Sequence, residues 1–158
     1  MKLNDNQILF LAKGCNVGNI SVMPGTFGTL VGIPICFLLS LLNTPACLPF
    51  QALLVVALIL FAVWIAEEAV NILNQHDPGC IVIDEIAGFA VTMIGVGFSM
   101  TSVILAFLTF RFFDILKPFP VKFLEEKIPG GAGVVLDDVA AGIMANITLR
   151  IILGIFGI

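Results

Sequence analysis

Carboxylates gather in this chain in three polar islands, each beside glycine or proline. The first begins His76-Asp77-Pro78-Gly79 and ends at Asp84-Glu85. The second runs from Arg111 through Asp114 to Lys117-Pro118-Phe119-Pro120, and the third is Gly130-Gly131-Ala132-Gly133 followed by Asp137-Asp138. Only 11% of the residues are charged, so acids placed this way have little reason to cluster unless they meet in space. Carboxylates that meet usually hold a hard cation, Mg²⁺ above all. The chemistry this suggests is metal-assisted, with Asp84, Glu85, Asp114, Asp137 and Asp138 as candidate ligands and catalytic groups.

Each feature also has a plainer reading. Asp84-Glu85 and Asp137-Asp138 both precede apolar stretches, where an acid favours the helix dipole or caps the first turn. One acid would be enough for a cap; two in each place point further. Arg111, Asp114 and Lys117 stand at successive i, i+3 steps near a helix end that Pro118 stops. That is either a surface ion-pair ladder or Asp114 on a metal with Arg111 and Lys117 on phosphate oxygens, for which arginine offers a two-pronged donor. Met23-Pro24-Gly25-Thr26-Phe27-Gly28-Thr29 opens a helix. Free amides there suit phosphate, with Thr26 adding a hydroxyl; the plainer reading is an N-cap at Thr26 or Thr29. Gly130 to Gly133 reads as a turn, and His76, the single histidine, as a solvated or capping residue.

Absent motifs narrow the mechanism. No cysteine is followed six positions later by arginine, no D-x-D-x-[TV] occurs, and one histidine excludes a two-histidine phosphatase. If phosphate chemistry happens here, metal-activated water remains. The four cysteines form no C-x-x-C and read as small buried hydrophobes.

The elements that must position these groups are oily. The chain has 158 residues, 59% hydrophobic, a formal net charge of −4 and a mean hydropathy of +1.14. Soluble domains carry roughly 25% charged residues, so the expectation is one membrane-embedded domain spanning residues 1–158. No basic stripe suggests nucleic acid. The polar start, Met1 to Asn6, suggests no signal peptide. Apolar runs cover Phe27–Leu42, Phe50–Ala66, Ile86–Phe110 and Val139–Ile158. The first two read as a helical hairpin across Asn43–Pro49, and Trp64–Gln75 as a helical continuation.

The third run decides the topology. As one straight span it would put Glu85 and Arg111 on opposite membrane faces. Folded back near Gly97–Ser102, it brings all three islands to one face and leaves the far turns uncharged. Lys and Arg then gather on one side, which the positive-inside rule makes cytoplasmic. Arms of about 12 residues fall short of the ~20 needed to span, so half-length helices are expected. Arg150, inside the last run, either snorkels or ends a short final helix. The expected fold is all-α: a compact membrane-embedded bundle with hairpins and half-length helices, its active site on the cytoplasmic face.

Together the islands resemble the phosphatidylglycerophosphatase A family. The resemblance rests on Pro24-Gly25-Thr26-x-Gly28-Thr29, His76-Asp77-x-Gly79-x-Ile81-Val82-x-Asp84-Glu85-x-x-Gly88, Phe110-Arg111-x-x-Asp114-x-x-Lys117-Pro118-x-Pro120, Gly130-Gly131-x-Gly133 and Asp137-Asp138-x-x-Ala141-Gly142. It implies an all-helical protein of the bacterial inner membrane that removes the terminal phosphate of phosphatidylglycerophosphate, with Mg²⁺ as cofactor and a phospholipid as substrate. It further implies Asp84, Glu85, Asp114, Asp137 and Asp138 at the metal, and Thr26, Arg111 and Lys117 on the substrate phosphate. The first loop departs from the family pattern at Gly14-Cys15-Asn16-Val17-Gly18 and Ile20-Ser21, and Phe119 stands where tryptophan is common. Two other readings stay open: a small Mg²⁺-binding transporter component, and an inactive scaffold of the same family. A homo-oligomer is compatible with either.

Overall fold

The computed structural model describes residues 3–75 and 78–157; the His76-Asp77 part of the first island lies outside them. The described residues form seven α-helices and no strand. These are α1 (Asp5–Ala12), α2 (Pro24–Ser40), α3 (Leu48–Leu73), α4 (Ile83–Thr92), α5 (Met100–Leu116), α6 (Val121–Lys127) and α7 (Gly130–Phe156), with a 3₁₀ turn at Val17–Asn19. The N-termini of α2, α4 and α7 and the C-terminus of α5 meet at one end of the bundle. The Asn43–Pro49 turn and the α4–α5 connection lie at the other.

The fold-back occurs, a few residues earlier than the sequence suggests. α4 stops at Thr92 and α5 starts at Met100, with Gly95 at φ +64° between them. Gly95 fits because a side chain there would be strained and would strike Arg150. Three polar side chains satisfy the backbone that this break frees. Asn146 donates to the carbonyls of Thr92 (2.7 Å) and Ile94 (3.0 Å). Arg150 donates to the Ile94 carbonyl at 2.7 Å and to Asn146 Oδ1 at 2.9 Å. Gln51 accepts from the Gly95 amide at 3.0 Å and donates to the Leu39 carbonyl at 3.0 Å. Arg150 therefore neither ends a helix nor serves the acids; α7 continues past it to Phe156. Non-helical backbone in apolar surroundings needs such partners, since each unsatisfied group costs several kcal/mol or so.

Two more local expectations change. Asp137-Asp138 do not precede their helix, because α7 begins at Gly130 and the glycines form its first turn. A side chain at Gly131 would collide with the Glu67 backbone, and one at Gly133 with the Ile128 carbonyl. Glycine lets α7 start pressed against α3, where Glu67 accepts the Gly131 amide at 2.5 Å and complements the helix dipole. At α2 no threonine caps the helix. Met23 takes the cap position in the left-handed region, Pro24 fills N1, and Thr29 bonds back to the Gly25 carbonyl at 2.8 Å. Of the cysteines, Cys36 is buried but Cys15 is exposed, and all four are free.

α4 is the central element, buried along almost its whole length. Its glycines bring backbones together: a side chain at Gly88 would come within 2.7 Å of the Asp138 carbonyl, and one at Gly142 would strike the Gly88 carbonyl. α3 and α7, 26 and 27 residues long, are apolar and long enough to cross a membrane. Their outward faces expose large apolar side chains such as Leu53, Leu60, Ile147 and Ile151.

Candidate active site

Where the helix ends meet, a cavity of about 490 Å³ opens. Its wall carries Asp84 and Glu85 from the first turn of α4, Arg111 and Asp114 from the last turns of α5, Lys117 just beyond, Glu125 from α6, and Asp137 and Asp138 from α7. Met23, Pro24 and Gly25 line it as well; Thr26, the next residue in the helix, is half-buried and is not among the lining residues. The second and third islands and the Asp84-Glu85 end of the first thus share one chamber. Six of the eleven acids in the sequence line it, against two bases.

The charged groups divide into three sets. One oxygen each from Asp84, Glu85 and Asp138 lies within 4.8 Å of the others, a grouping able to hold a metal ion. Arg111 forms an ion pair with Asp114 and stands 4.0 Å from Glu85. Lys117 lies 2.6 Å from Glu125 and 2.9 Å from Asp137, and the other Asp137 oxygen accepts the Asp138 amide at 2.9 Å. Lys117 adopts φ 45° at the C-cap of α5, a conformation that costs a non-glycine residue on the order of 1 kcal/mol or more. Two carboxylates on its ammonium hold it there.

Unsatisfied atoms locate the chemistry. Among the described residues, four buried side-chain polar atoms have no hydrogen-bond partner: Asp84 Oδ1, Glu85 Oε2, Asp138 Oδ2 and Arg111 Nε. All four belong to residues lining this cavity. Buried polar groups are nearly always paired, so three orphaned acceptors and one orphaned donor mark where a cation and an anion would supply the missing partners. The three oxygens fit a hard divalent cation, which takes oxygen ligands and carboxylates above all. Asp84 and Glu85 sit on α4, outside the two long apolar helices. Burial, then the neighbouring Glu85 charge, pushes the Asp84 carboxyl well above the ordinary carboxylate range, and burial raises Glu85 as well. Burial acts to lower the Lys117 pKa, but Glu125 and Asp137 outweigh it and the net shift is upward.

Glu125 was not singled out in the sequence; its signal, an acid on a short charged helix just after the Lys117-Pro118 stop, looks like any solvated face. Gly25 belongs to a recognised loop, but its use is tighter than a loop requires. A side chain there would collide with the Glu85 carboxylate and come within 2.9 Å of Arg111 Nη1.

An all-helical bundle with buried carboxylates at convergent helix ends defines a class: a helical protein whose acidic cavity is able to hold a metal ion. The chain belongs to the phosphatidylglycerophosphatase A family, whose model matches residues 10–153. It is 38% identical to a Haemophilus influenzae protein named phosphatidylglycerophosphatase A, over 91% of this chain and 87% of that one. It is 31% identical to the Escherichia coli protein of the same name, over 85% and 77% of the two chains. A Bacteroides thetaiotaomicron protein, whose name provisionally assigns it as a phosphatidylinositol-3-phosphatase, is 34% identical over 94% of this chain and 95% of its own length. No solved structure matches.

Proposed function

We propose that this chain hydrolyses the terminal phosphomonoester of phosphatidylglycerophosphate, giving phosphatidylglycerol and phosphate, with Mg²⁺ at the cytoplasmic face of a bacterial inner membrane. The observation that carries the reading is the set of four orphaned atoms, three acceptors and one donor, in a single cavity. Asp84, Glu85 and Asp138 would hold the cation. When bound, Mg²⁺ would polarise the phosphoryl oxygens and lower the pKa of a water it carries.

The remaining residues bind and orient. Arg111 Nε, with no protein partner, is free for a phosphoryl oxygen, while Asp114 fixes the other edge of the same guanidinium. Charge developing on the phosphoryl group is then met by a donor already in place. Lys117 adds a second positive charge on the cavity wall, held between Glu125 and Asp137. Asp114 and Asp137 are paired to bases, so we assign them to orienting those bases, with Thr26 and the α2 N-terminus backing the phosphate. Six acids facing two bases would repel a phosphate dianion; a divalent cation eases that conflict.

The two long apolar helices with their exposed aliphatic faces support membrane embedding. Arg111, Lys117, Lys122 and Lys127 gather at the end that carries the acids, and under the positive-inside rule this supports a cytoplasmic placement of that end.

The test is phosphate release from phosphatidylglycerophosphate in detergent micelles, with Mg²⁺ or EDTA, beside Asp138→Asn. Release that needs Mg²⁺ and disappears in the variant, together with its saturable Mg²⁺ binding, is expected. Full turnover by a folded Asp138→Asn protein would overturn the assignment. Phosphatidylinositol-3-phosphate serves as the comparison substrate; preferential hydrolysis of it would replace the headgroup named here.

A further inference from the structure

The C-terminal half of α5 is built inside out. Arg111 and Asp114 point into the cavity with side chains 15% and 13% exposed. Phe112 and Leu116, turned away from them, are 58% and 63% exposed, and Ile115, at the border between the two faces, is 64% exposed. A helix bathed in water would show the reverse polarity. The outward face continues unbroken along the helix, because Ile104 and Leu108 are also exposed and stand at i, i+4, i+8 with Phe112. Ile115 closes this stripe and at the same time lines the acidic cavity. From Ile104 to Ile115 the helix rises roughly 16 Å, about the ~15 Å depth of one leaflet's hydrocarbon. An apolar track one leaflet long therefore ends inside a chamber of charged groups.

We infer that the Ile104–Leu108–Phe112–Ile115 stripe is the acyl-chain track of a diacyl phosphomonoester lipid, which enters the cavity sideways from the bilayer past Ile115. The inference rests on the lipid-phosphatase reading above and adds the route and the residue that selects for a long chain. The phosphate end meets Arg111, which faces inward from the helix whose outer face carries the hydrocarbon. Met23, exposed and also on the cavity wall, adds a second apolar side chain to that wall. One helix thus reads both ends of an amphiphile, and a water-soluble phosphomonoester engages only one.

Two measurements test this. The sequence holds a single tryptophan, Trp64, so Trp64→Phe gives a silent background into which Ile115→Trp or Phe112→Trp places a reporter. In vesicles of acyl-brominated phosphatidylcholine the new tryptophan should be quenched and blue-shifted; emission typical of water, untouched by bromine, overturns the track. Next, kcat/KM is compared for long-chain phosphatidylglycerophosphate and for a short-chain form below its micelle concentration. In Ile115→Asn the ratio of long-chain to short-chain kcat/KM should fall by about 10-fold. An unchanged ratio overturns the selecting role of Ile115. If the unaltered protein hydrolyses neither substrate, the phosphatase reading falls, while the fluorescence still decides the track.

Discussion

Arg111 Nη1 and Glu85 Oε1 lie 4.0 Å apart, although the apolar run between them is long enough to cross a bilayer as one straight helix. The break between Thr92 and Met100 makes the contact, and the side chains of Asn146, Gln51 and Arg150 make the break tolerable. Asn146→Leu would orphan the Thr92 carbonyl and the Arg150 Nε–H in apolar surroundings, while the Ile94 carbonyl keeps Arg150. A loss of about 1–3 kcal/mol is expected, read as a lower unfolding midpoint in detergent. Unchanged stability would mean that water replaces the amide and that the clamp is incidental.

Gly25→Ala tests the closeness of the α2 N-terminus to the acids. The added methyl must displace Glu85 or Arg111, so phosphate release should drop on the order of 10–100-fold with far-UV circular dichroism unchanged. Full activity in this variant would show that the loop gives way and does not set the geometry.

The elevated Asp84 and Glu85 pKa values fix the sign of a pH effect. Without metal, the folded protein keeps protons on these acids at pH values where the unfolded chain has lost them. Its stability therefore falls as pH rises from the ordinary carboxylate range through the raised folded values. A cation needs the ionised forms, so binding expels protons and tightens as pH rises. The gain in thermal midpoint on adding Mg²⁺ to EDTA-treated protein should be larger at pH 8 than at pH 5.5. An equal or inverted gain would remove these two acids from the cation set.

Glu125→Gln leaves Lys117 with one carboxylate, Asp137, and one neutral amide. Activity should fall by a few-fold up to about tenfold, mainly through KM, while Mg²⁺ affinity stays near that of the unaltered protein. A large loss of Mg²⁺ affinity would instead place Lys117 and Asp137 in the cation site.

Much of this was legible in the sequence. Acid pairs beside glycines in a charge-poor chain announced a joint site, and the impossibility of joining Glu85 to Arg111 across a straight span announced the fold-back. What the sequence hid was partnership. Asp137 and Asp138 are adjacent and chemically identical, yet one faces Lys117 and the other keeps an unpaired oxygen; only the rotation of α7 decides which. Gly130 to Gly133 looked like a turn because glycine disfavours helices, but close packing on Glu67 and Ile128 outweighs that preference. Gln51 and Asn146 carried no signal of their roles, and Arg150 offered only a choice between snorkelling and a helix end, since the carbonyls they serve are distant in sequence.

Asp84 stands four residues before Gly88, and Asp138 four before Gly142. Those two glycines are where α4 and α7 touch backbone to backbone. Each acid therefore sits one helical turn from a contact with no side chain to compress or re-orient, and peptide groups set the span between them. Mg²⁺ demands near-ideal octahedral geometry at short range, whereas Ca²⁺ accepts longer, looser shells. A caliper made of two backbones holds that span fixed, so the glycines that look like mere packing would set the room a cation meets between Asp84 and Asp138.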